Sequence, residues 1–299
     1  IKQAPSNTVA PVISGTLVVG NTLTTTNGTW SGYPAPTYTY QWKRNGSDIG
    51  GATSSTYVTV SADAGQSITC TVTGTNSVTS ATANSNTLTP TLAPSNTVAP
   101  VISGTAVVGS ALSTTNGTWS GYPTPTYTYQ WKRNGVNIAT ATSSSYTLVQ
   151  ADATANITCN VTATNSVSSA SSLSNSLYIY DANANTYITN AGITDTTQKQ
   201  AVNVLTNDLK TYAIYTKMRA VYPVLGGTAL THKFNLINPL DTNAAFRLSF
   251  LGTWTHSSTG MAGNGSTGYA DTFLNPVTVY ASTQACWGLY TRTASPTST

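Results

Sequence analysis

Four aromatic side chains near the end of the chain are the residues best suited to bind a ligand: Trp254, Tyr269, Trp287 and Tyr290. Sugar sites combine an aromatic ring, which covers the apolar face of the sugar, with hydroxyl and amide partners. Thr and Ser are frequent around these positions. The four residues therefore predict a carbohydrate-binding site, and packing in a hydrophobic core is the alternative for each ring.

A calcium site is the second candidate, and it involves Asn264 and Asp271. Calcium takes oxygen ligands from carboxylates, amide groups and backbone carbonyls. Asn264 stands in a Gly-Asn-Gly sequence that predicts a tight turn at residues 263–265, and Asp271 follows a few positions later. The alternative is that both residues simply flank a hairpin. No other cofactor is expected.

Hydrolytic chemistry has little support in the sequence. Glycosidases need two carboxylates across a cleft, but the chain has no glutamate and only 8 acidic residues. A Ser-His-acid triad is equally poorly supported, because no Gly-x-Ser-x-Gly turn is present. Four aspartates lie outside the repeats and are not the predicted helix cap: Asp181, Asp208, Asp241 and Asp271. These four share no motif.

The histidines and cysteines are few and scattered. His232 and His256 are expected to be hydrogen-bonded side chains at the surface or at a strand edge. Cys286 has no Cys or His neighbour at the spacing of a zinc site. Cys70 and Cys159 are expected to be buried and unreactive. We therefore expect a protein that is not an enzyme.

Composition narrows the class of protein further. Charged residues make up 7% of the chain, against about 25% in ordinary soluble proteins. The net charge is +4, and Lys43-Arg44 and Lys132-Arg133 are isolated pairs rather than the basic stripe that nucleic acid requires. No apolar run is long enough to span a membrane. The sequence thus predicts a Thr-, Ser- and Asn-rich β protein without nucleic-acid binding or a membrane span.

An internal repeat is the strongest signal in the sequence. Residues 4–16 recur unchanged at residues 93–105, and residues 25–34 recur unchanged at residues 114–123. A period of about 89 residues is too long for a solenoid repeat and fits one β-sandwich. Within the first copy, residues 37–43 alternate with Trp42 on the apolar face, and residues 67–73 alternate with Cys70 on theirs.

These residues resemble the immunoglobulin-like family. Trp42 followed by Asp63-x-Gly65-x-x-Ile68-x-Cys70 is similar to the strand C tryptophan and the strand F cysteine of that family. The second copy repeats the pattern with Trp131 and Cys159. The resemblance implies two tandem Ig-like sandwiches whose cores contain Trp42, Cys70, Trp131 and Cys159.

The chain departs from the antibody pattern at two places. The strand B cysteine is missing, and Leu23 or Leu112 is expected to fill its space. The position two before the strand F cysteine is Ile68 or Ile157 instead of tyrosine. We therefore expect sandwiches without an internal disulfide, stabilised by packing alone.

Repetition stops near Tyr178, and a different pattern follows. Asp195-x-x-Gln198 predicts a capping box that opens a helix over residues 196–211, and residues 181–193 are expected to form a linker or a first strand. The predicted apolar helix face consists of Ala201, Val204, Leu205, Leu209 and Tyr212. Strand-like segments then follow at residues 218–222, 232–236, 246–250, 268–273 and 278–280.

Four short motifs in this region resemble a domain of tailed-phage virion proteins, at residues 191–195, 217–223, 232–236 and 268–272. The region is similar to the start of a concanavalin/LamG-like jelly roll, a domain that would normally extend beyond Thr299. The expected fold is mainly β: Ig-like sandwiches at residues 1–92 and 93–178, then a LamG- or lectin-like, jelly-roll-like β-rich domain with one α-helix at residues 179–299, compact or incomplete.

The resemblance implies a structural protein on the virion surface of a bacteriophage, as a capsid decoration, head fibre or tail-associated protein. Its expected partners are other virion proteins, such as the major capsid or tail proteins, further copies of itself, and host surface glycans. The alternative is a bacterial adhesin or carbohydrate-binding protein, secreted to the cell surface, with Ig-like spacers. Few charges guard the predicted strand edges, which favours a subunit packed in an assembly.

Overall fold

The computed structural model describes residues 1–258 and 260–275, which form two compact units. The first unit comprises Ile1–Ala106, Ser110–Leu148 and Ala155–Tyr178. The second comprises Val107–Gly109, Val149–Thr154 and the described residues from Ile179 onward. The repeat therefore builds the first unit, while the second unit combines two loops of the second copy with the region that follows it.

The first copy folds into short strands joined by turns. Thr is the most frequent residue in these strands, and Gly and Asn occupy many of the turns, as their conformational preferences dictate. The strands are β1 (Gln3–Val9), β2 (Ile13–Gly15), β3 (Thr22–Thr25), β4 (Thr29–Tyr33), β5 (Thr37–Arg44), β6 (Ser47–Asp48), β7 (Thr56–Val58), β8 (Ile68–Thr75) and β9 (Ser80–Asn84).

The second copy repeats this order and adds one short strand at its end. Its strands are β10 (Leu92–Val98), β11 (Ile102–Gly104), β12 (Ala111–Thr114), β13 (Thr118–Tyr122), β14 (Thr126–Arg133), β15 (Val136–Asn137), β16 (Ser145–Thr147), β17 (Asn156–Thr164), β18 (Ser169–Leu173) and β19 (Leu177–Tyr178).

Each copy is a sandwich with the strand pairing of an Ig-like domain. One sheet of the first copy has the order β6-β5-β8-β9, a second has the order β2-β3-β7, and β1 pairs with β4. The second copy has the equivalent sheets β15-β14-β17-β18 and β11-β12-β16, and β10 pairs with β13. The longest ladders are β5 with β8 and β14 with β17, both antiparallel. The mainly β, Ig-like architecture expected from the sequence is confirmed.

A Trp–Cys pair lies at the centre of each sandwich. Trp42 is directly opposite Cys70 in the β5–β8 register, and Trp131 is directly opposite Cys159. All four side chains are fully buried, and both thiols are free. Leu23 lies in the same core cluster as Trp42 and Cys70, where the strand B cysteine would otherwise stand. The indole Nε1 of Trp42 donates to the Ser54 carbonyl at 2.9 Å, so the buried donor is satisfied.

A buried carboxylate fixes one end of the first sandwich. Asp63 is fully buried and accepts hydrogen bonds from Arg44 Nε at 2.6 Å, from the Tyr57 hydroxyl at 2.7 Å and from the Val60 backbone N–H at 2.7 Å. Two of its partners lie on β5 and β7, so the carboxylate links the two sheets. A buried charge is tolerated only when it is paired in this way.

The second unit contains more helix than the sequence indicated. The prediction of a single helix in this region is wrong. Its described residues contain three helices: α1 (Ala182–Asn190), α2 (Thr196–Thr211) and α3 (Ala229–His232). Residues 181–193, expected as a linker or strand, are mostly α1. The reason is the Asp181 side chain, which caps α1 by accepting from the N–H groups of Asn183 and Ala184 at 2.8 and 3.3 Å.

Helix α2 has the predicted bounds but buries a different face. Its N-cap is Asp195, whose carboxylate accepts from the Gln198 N–H at 2.8 Å. The buried residues are Val202, Asn203 and Thr206, whereas three residues of the predicted apolar face are exposed: Ala201, Val204 and Tyr212. Asn203 explains the difference, because its side chain satisfies the Ile179 carbonyl and the Asp181 N–H, two buried backbone groups. Hydrophobicity alone does not reveal such a residue.

The strands of this unit are short and pair two by two within its described residues. They are β20 (Ser249–Leu251), β21 (Trp254–Ser257), β22 (Gly260–Gly263) and β23 (Tyr269–Asp271), with β20 paired to β23 and β21 paired to β22. Residues 218–222 and 232–236, expected as strands, are irregular or helical, and residues 278–280 lie outside the described part. No helix in the described chain has the length and apolar character needed to cross a bilayer.

Candidate functional site

The β20–β23 ladder divides the predicted sugar-binding aromatics between two environments. Leu251 is opposite Tyr269, and Ser249 is opposite Asp271, so these four side chains share one face, while Phe250 and Ala270 share the other. Tyr269 is 61% exposed. Trp287 and Tyr290 lie outside the described residues.

Trp254 belongs to the Phe250 side of this ladder. Its ring meets the Phe250 ring edge-on, with 5.3 Å between centroids, and stacks on the His256 ring at 6.3 Å. Its Nε1 donates to the Leu251 carbonyl at 3.0 Å. Trp254 is therefore half-buried, with its one polar group already paired, and its position suits packing more than ligand recognition.

The outward face of β23 retains the groups that a sugar site needs. Tyr269 offers an open ring, and Asp271, two residues along the same face, offers a carboxylate. One oxygen of Asp271 accepts from the Phe273 N–H at 2.7 Å, which holds the side chain in place. An aromatic ring beside a fixed, exposed carboxylate is a pairing that binds the C–H face and the hydroxyls of one sugar ring. We call Leu251, Tyr269 and Asp271 the Tyr269 face.

The side chain of the other predicted metal ligand, Asn264, is hydrogen-bonded within its own loop. Its Oδ1 accepts from the backbone N–H groups of Ser266, Thr267 and Gly268 at 3.1, 2.8 and 2.9 Å. Its Nδ2 donates to the Thr267 hydroxyl at 2.7 Å. Within the described part of the chain, no group of three or more His, Cys, Asp or Glu side chains could hold a metal ion. The calcium site at Asn264 and Asp271 stays a prediction.

A pair of histidines is the feature of this unit that the sequence did not reveal. His232 was expected at the surface or at a strand edge, but it ends α3 and is fully buried. Its Nδ1 lies 2.9 Å from Nδ1 of His256, and its Nε2 accepts from the Gly227 N–H at 3.1 Å. Burial lowers the pKa of His232, and the neighbouring His256 lowers that pKa further.

This pairing has a structural function. Because Nε2 of His232 accepts a hydrogen bond from a backbone amide, Nδ1 carries the proton of the neutral ring, and this N–H lies within hydrogen-bond distance of Nδ1 of His256. The two imidazoles thus join α3 to the β21–β22 hairpin, and the Phe250 ring lies 4.8 Å from the His256 ring centre. The sequence gives no signal for this contact, since the two residues are far apart in the chain and share no motif.

Of the remaining acidic candidates, Asp208 is exposed on α2, and Asp181 and Asp241 are paired with basic side chains. Asp181 accepts from Lys210 Nζ at 2.7 Å and from Gln150 Nε2 at 2.8 Å. Burial by itself raises the pKa of Asp181, but the hydrogen bonds from Lys210 and Gln150 and the charge of Lys210 outweigh it, so the pKa lies below its ordinary value. Asp241 pairs with Lys233 at 2.5 Å and with Arg247 at 3.4 Å.

Two shallow cavities lie beside α1, and neither is lined by two carboxylates. One, of about 290 Å³, is lined by residues that include Asn185, Thr194 and Lys199. The other, of about 390 Å³, includes Phe234, Leu240 and the ion-paired Asp241. General acid–base hydrolysis of a glycoside needs two carboxylates facing one space. These cavities do not offer that arrangement.

Solved structures that resemble the chain contain tandem Ig domains. A crystal structure of the four N-terminal Ig domains of Dscam1 isoform 6.9 has a TM-score of 0.33 and 17% identity, and covers 60% of this chain and 46% of that chain. The titin domains Z1Z2 in complex with telethonin have a TM-score of 0.24 and 20% identity, and cover 60% and 98%.

No protein-family model matches the sequence, and no curated protein matches it. The chain spans less than half the length of the Dscam1 structure that it resembles. The strand order and the buried Trp–Cys pairs, rather than these scores, establish the Ig-like fold.

Proposed function

We propose that this chain is a non-enzymatic structural protein of a bacteriophage virion surface, in which the two sandwiches act as a stiff spacer for a glycan-binding C-terminal module. It serves as a capsid decoration, head fibre or tail-associated protein. Its partners are further copies of itself and other virion proteins such as the major capsid or tail proteins. The virion and LamG-like assignments rest on the sequence motifs described above.

The observation that carries the spacer role is the junction between the two sandwiches. Thr91, the last residue before β10, donates its backbone N–H to the Leu17 carbonyl at 2.5 Å, and its hydroxyl donates to the same carbonyl at 2.8 Å. Strand β10 starts at the next residue, Leu92. Sandwiches joined without a free linker cannot reorient as domains on flexible linkers do.

The nearly uncharged, hydroxyl-rich surface supports a place in an assembly. Charged residues are 7% of the chain, so few of them guard the edges of the small sheets against pairing with other strands. Burial of these edges among neighbouring subunits removes that hazard. A secreted bacterial adhesin with Ig-like spacers is the second candidate, since it would use the same spacer and the same Tyr269 face.

Quantitative mass spectrometry of purified phage particles tests the virion assignment. A fixed copy number per particle, retained after stringent washing, is expected. Recovery only from the secreted or cell-wall fraction of a bacterium would replace the virion proposal with the adhesin one.

Glycan binding is tested separately with Tyr269→Ala on an array of bacterial surface glycans. We expect at least about tenfold weaker binding, because loss of one stacked ring removes about 1.4 kcal/mol. Tyr212→Ala is the matched control, since Tyr212 is also highly exposed, at 73%, but lies at the end of α2. Equal binding by both variants would remove the Tyr269 face from the proposal.

A further inference from the structure

The two sandwiches meet through a tyrosine and a glycine. A Cβ atom placed on Gly65 would lie 2.7 Å from Cε2 and 2.8 Å from Cδ2 of Tyr122, distances that real Cβ atoms do not adopt. The Tyr122 ring of the second sandwich therefore lies directly on the bare backbone of Gly65 in the first. Gly65 also has φ of +72°, so glycine is favoured at this position for two independent reasons.

The second sandwich has threonine at the position that corresponds to Gly65. Thr154 adopts the same left-handed conformation, with φ of 69°. A tyrosine ring placed on Thr154 as Tyr122 lies on Gly65 would overlap the Thr154 Cβ, since a Cβ on Gly65 would lie 2.7 Å from that ring. Glycine thus occurs in the first sandwich, which another sandwich follows, and not in the second, which the non-repeating residues 179–299 follow.

The first sandwich presents the same tyrosine without a partner. Tyr33 corresponds to Tyr122, and both end the strand that pairs with the entry strand of their copy, opposite Gln3 and Leu92 respectively. The supporting contacts are repeated too, since Asn76 Nδ2 donates to the Gln3 and Pro34 carbonyls at 2.8 and 2.9 Å. Tyr33 is 66% exposed, against 40% for Tyr122.

We infer that the surface around Tyr33 is a docking site for another sandwich of this repeat type, one with glycine at the position of Gly65. The Tyr122–Gly65 contact shows the geometry, and the repeated framework around Tyr33 reproduces the tyrosine side of it. The end of a second copy of this chain does not fit, because it carries Thr154. The occupant is therefore another sandwich of the Gly65 type.

The test extends the full chain by one sandwich. A copy of residues 4–89 is placed directly before Ile1, so that the chain's own Ile1, Lys2 and Gln3 replace Pro90, Thr91 and Leu92 at the new junction. Lys2 then takes the place of Thr91, whose backbone is hydrogen-bonded in the natural junction. Trypsin cleavage after Lys2 thus reports docking, because proteolysis follows the population of the open form.

Two variants on opposite sides of the contact make the test specific. Tyr33→Ala removes the ring, and Gly65→Thr in the added sandwich copies a residue that the fold accepts at Thr154. Each is expected to raise the cleavage rate after Lys2 by about tenfold, the factor that corresponds to one such contact. Tyr212→Ala, which removes an exposed tyrosine outside both sandwiches, should leave the rate unchanged. Hydrogen-exchange protection of β5 and β8 checks that each variant remains folded.

Two results would overturn the inference. One is an equal cleavage rate in the extended chain and in both variants. The other is self-association of the unextended chain in sedimentation velocity that Tyr33→Ala abolishes, because a second copy would then be the occupant of this surface.

Discussion

The buried Asp63 carboxylate offers the sharpest test of how the sandwiches are stabilised. Asp63→Asn preserves the shape of the side chain but removes its charge and one acceptor position. The side chain would then present an N–H₂ group toward Arg44, Tyr57 or Val60, all of which donate to it at 2.6–2.7 Å. At least one donor must be left without an acceptor, and the Arg44 guanidinium loses its counter-ion.

The expected cost follows from these contacts. Removing one partner of a buried ion pair costs about 3–5 kcal/mol. Arg44 is 31% exposed and regains part of its hydration, so about 2–3 kcal/mol is the appropriate range after allowing for solvent screening. For a sandwich of this size, that corresponds to a fall in Tm of about 10–20 °C.

Hydrogen exchange followed by mass spectrometry measures this cost in the sandwich concerned. Amides of β5 and β8 should exchange about 30- to 150-fold faster in the variant, which is 2–3 kcal/mol converted by the thermal energy. Strands β14 and β17, which form the same ladder in the second copy, are the internal control and should keep their protection. Less than about a fivefold change in β5 and β8, or an equal change in both copies, would refute the reasoning.

Three further results are expected. The pKa of Asp181 is lower in the folded chain than in the unfolded chain. Its contribution to stability is therefore present above the unfolded pKa of about 3.9 and lost as pH falls through the folded pKa. In urea titrations, the difference in unfolding free energy between the natural chain and Asp181→Asn should shrink below about pH 4, and a constant difference would contradict this. Burial raises the pKa of the Cys70 and Cys159 thiols and so lowers the fraction of reactive thiolate. Peptide mapping after iodoacetamide treatment should find both cysteines unmodified in the native protein and modified in urea. Rapid labelling of the native protein would show that the cores open. Burial lowers the pKa of His232, so its stabilising effect is present above the unfolded pKa of about 6.5 and lost as pH falls through the folded pKa. Protection factors of the β21–β22 hairpin amides, which are corrected for the intrinsic pH dependence of exchange, should fall below that pH but not in His232→Asn, which has no imidazole to protonate. Equal pH profiles would exclude His232 as the cause.

The sequence by itself determined the repeat, the fold of each copy and one helix. Period-two alternation specifies strands locally, and the repeated placement of Trp42 and Cys70 identifies the two central strands of one sheet and the side of each that is buried. Helix α2 was predictable because its signals are local: Asp195 caps it, and the apolar residues recur at helical spacing. These features can be predicted from residues close together in the chain or from comparison of the two copies.

Only the tertiary structure decided which side chains satisfy distant groups. Asn203 is buried because it pairs with backbone atoms of another segment, and His232 is buried because it meets His256. The assignment of Trp254 to packing and of Tyr269 to the open face depends on the pairing of β20 with β23. Sequence patterns predict that polar residues lie at the surface. Burial of a polar group depends on a hydrogen-bonding partner, and the local sequence does not identify that partner.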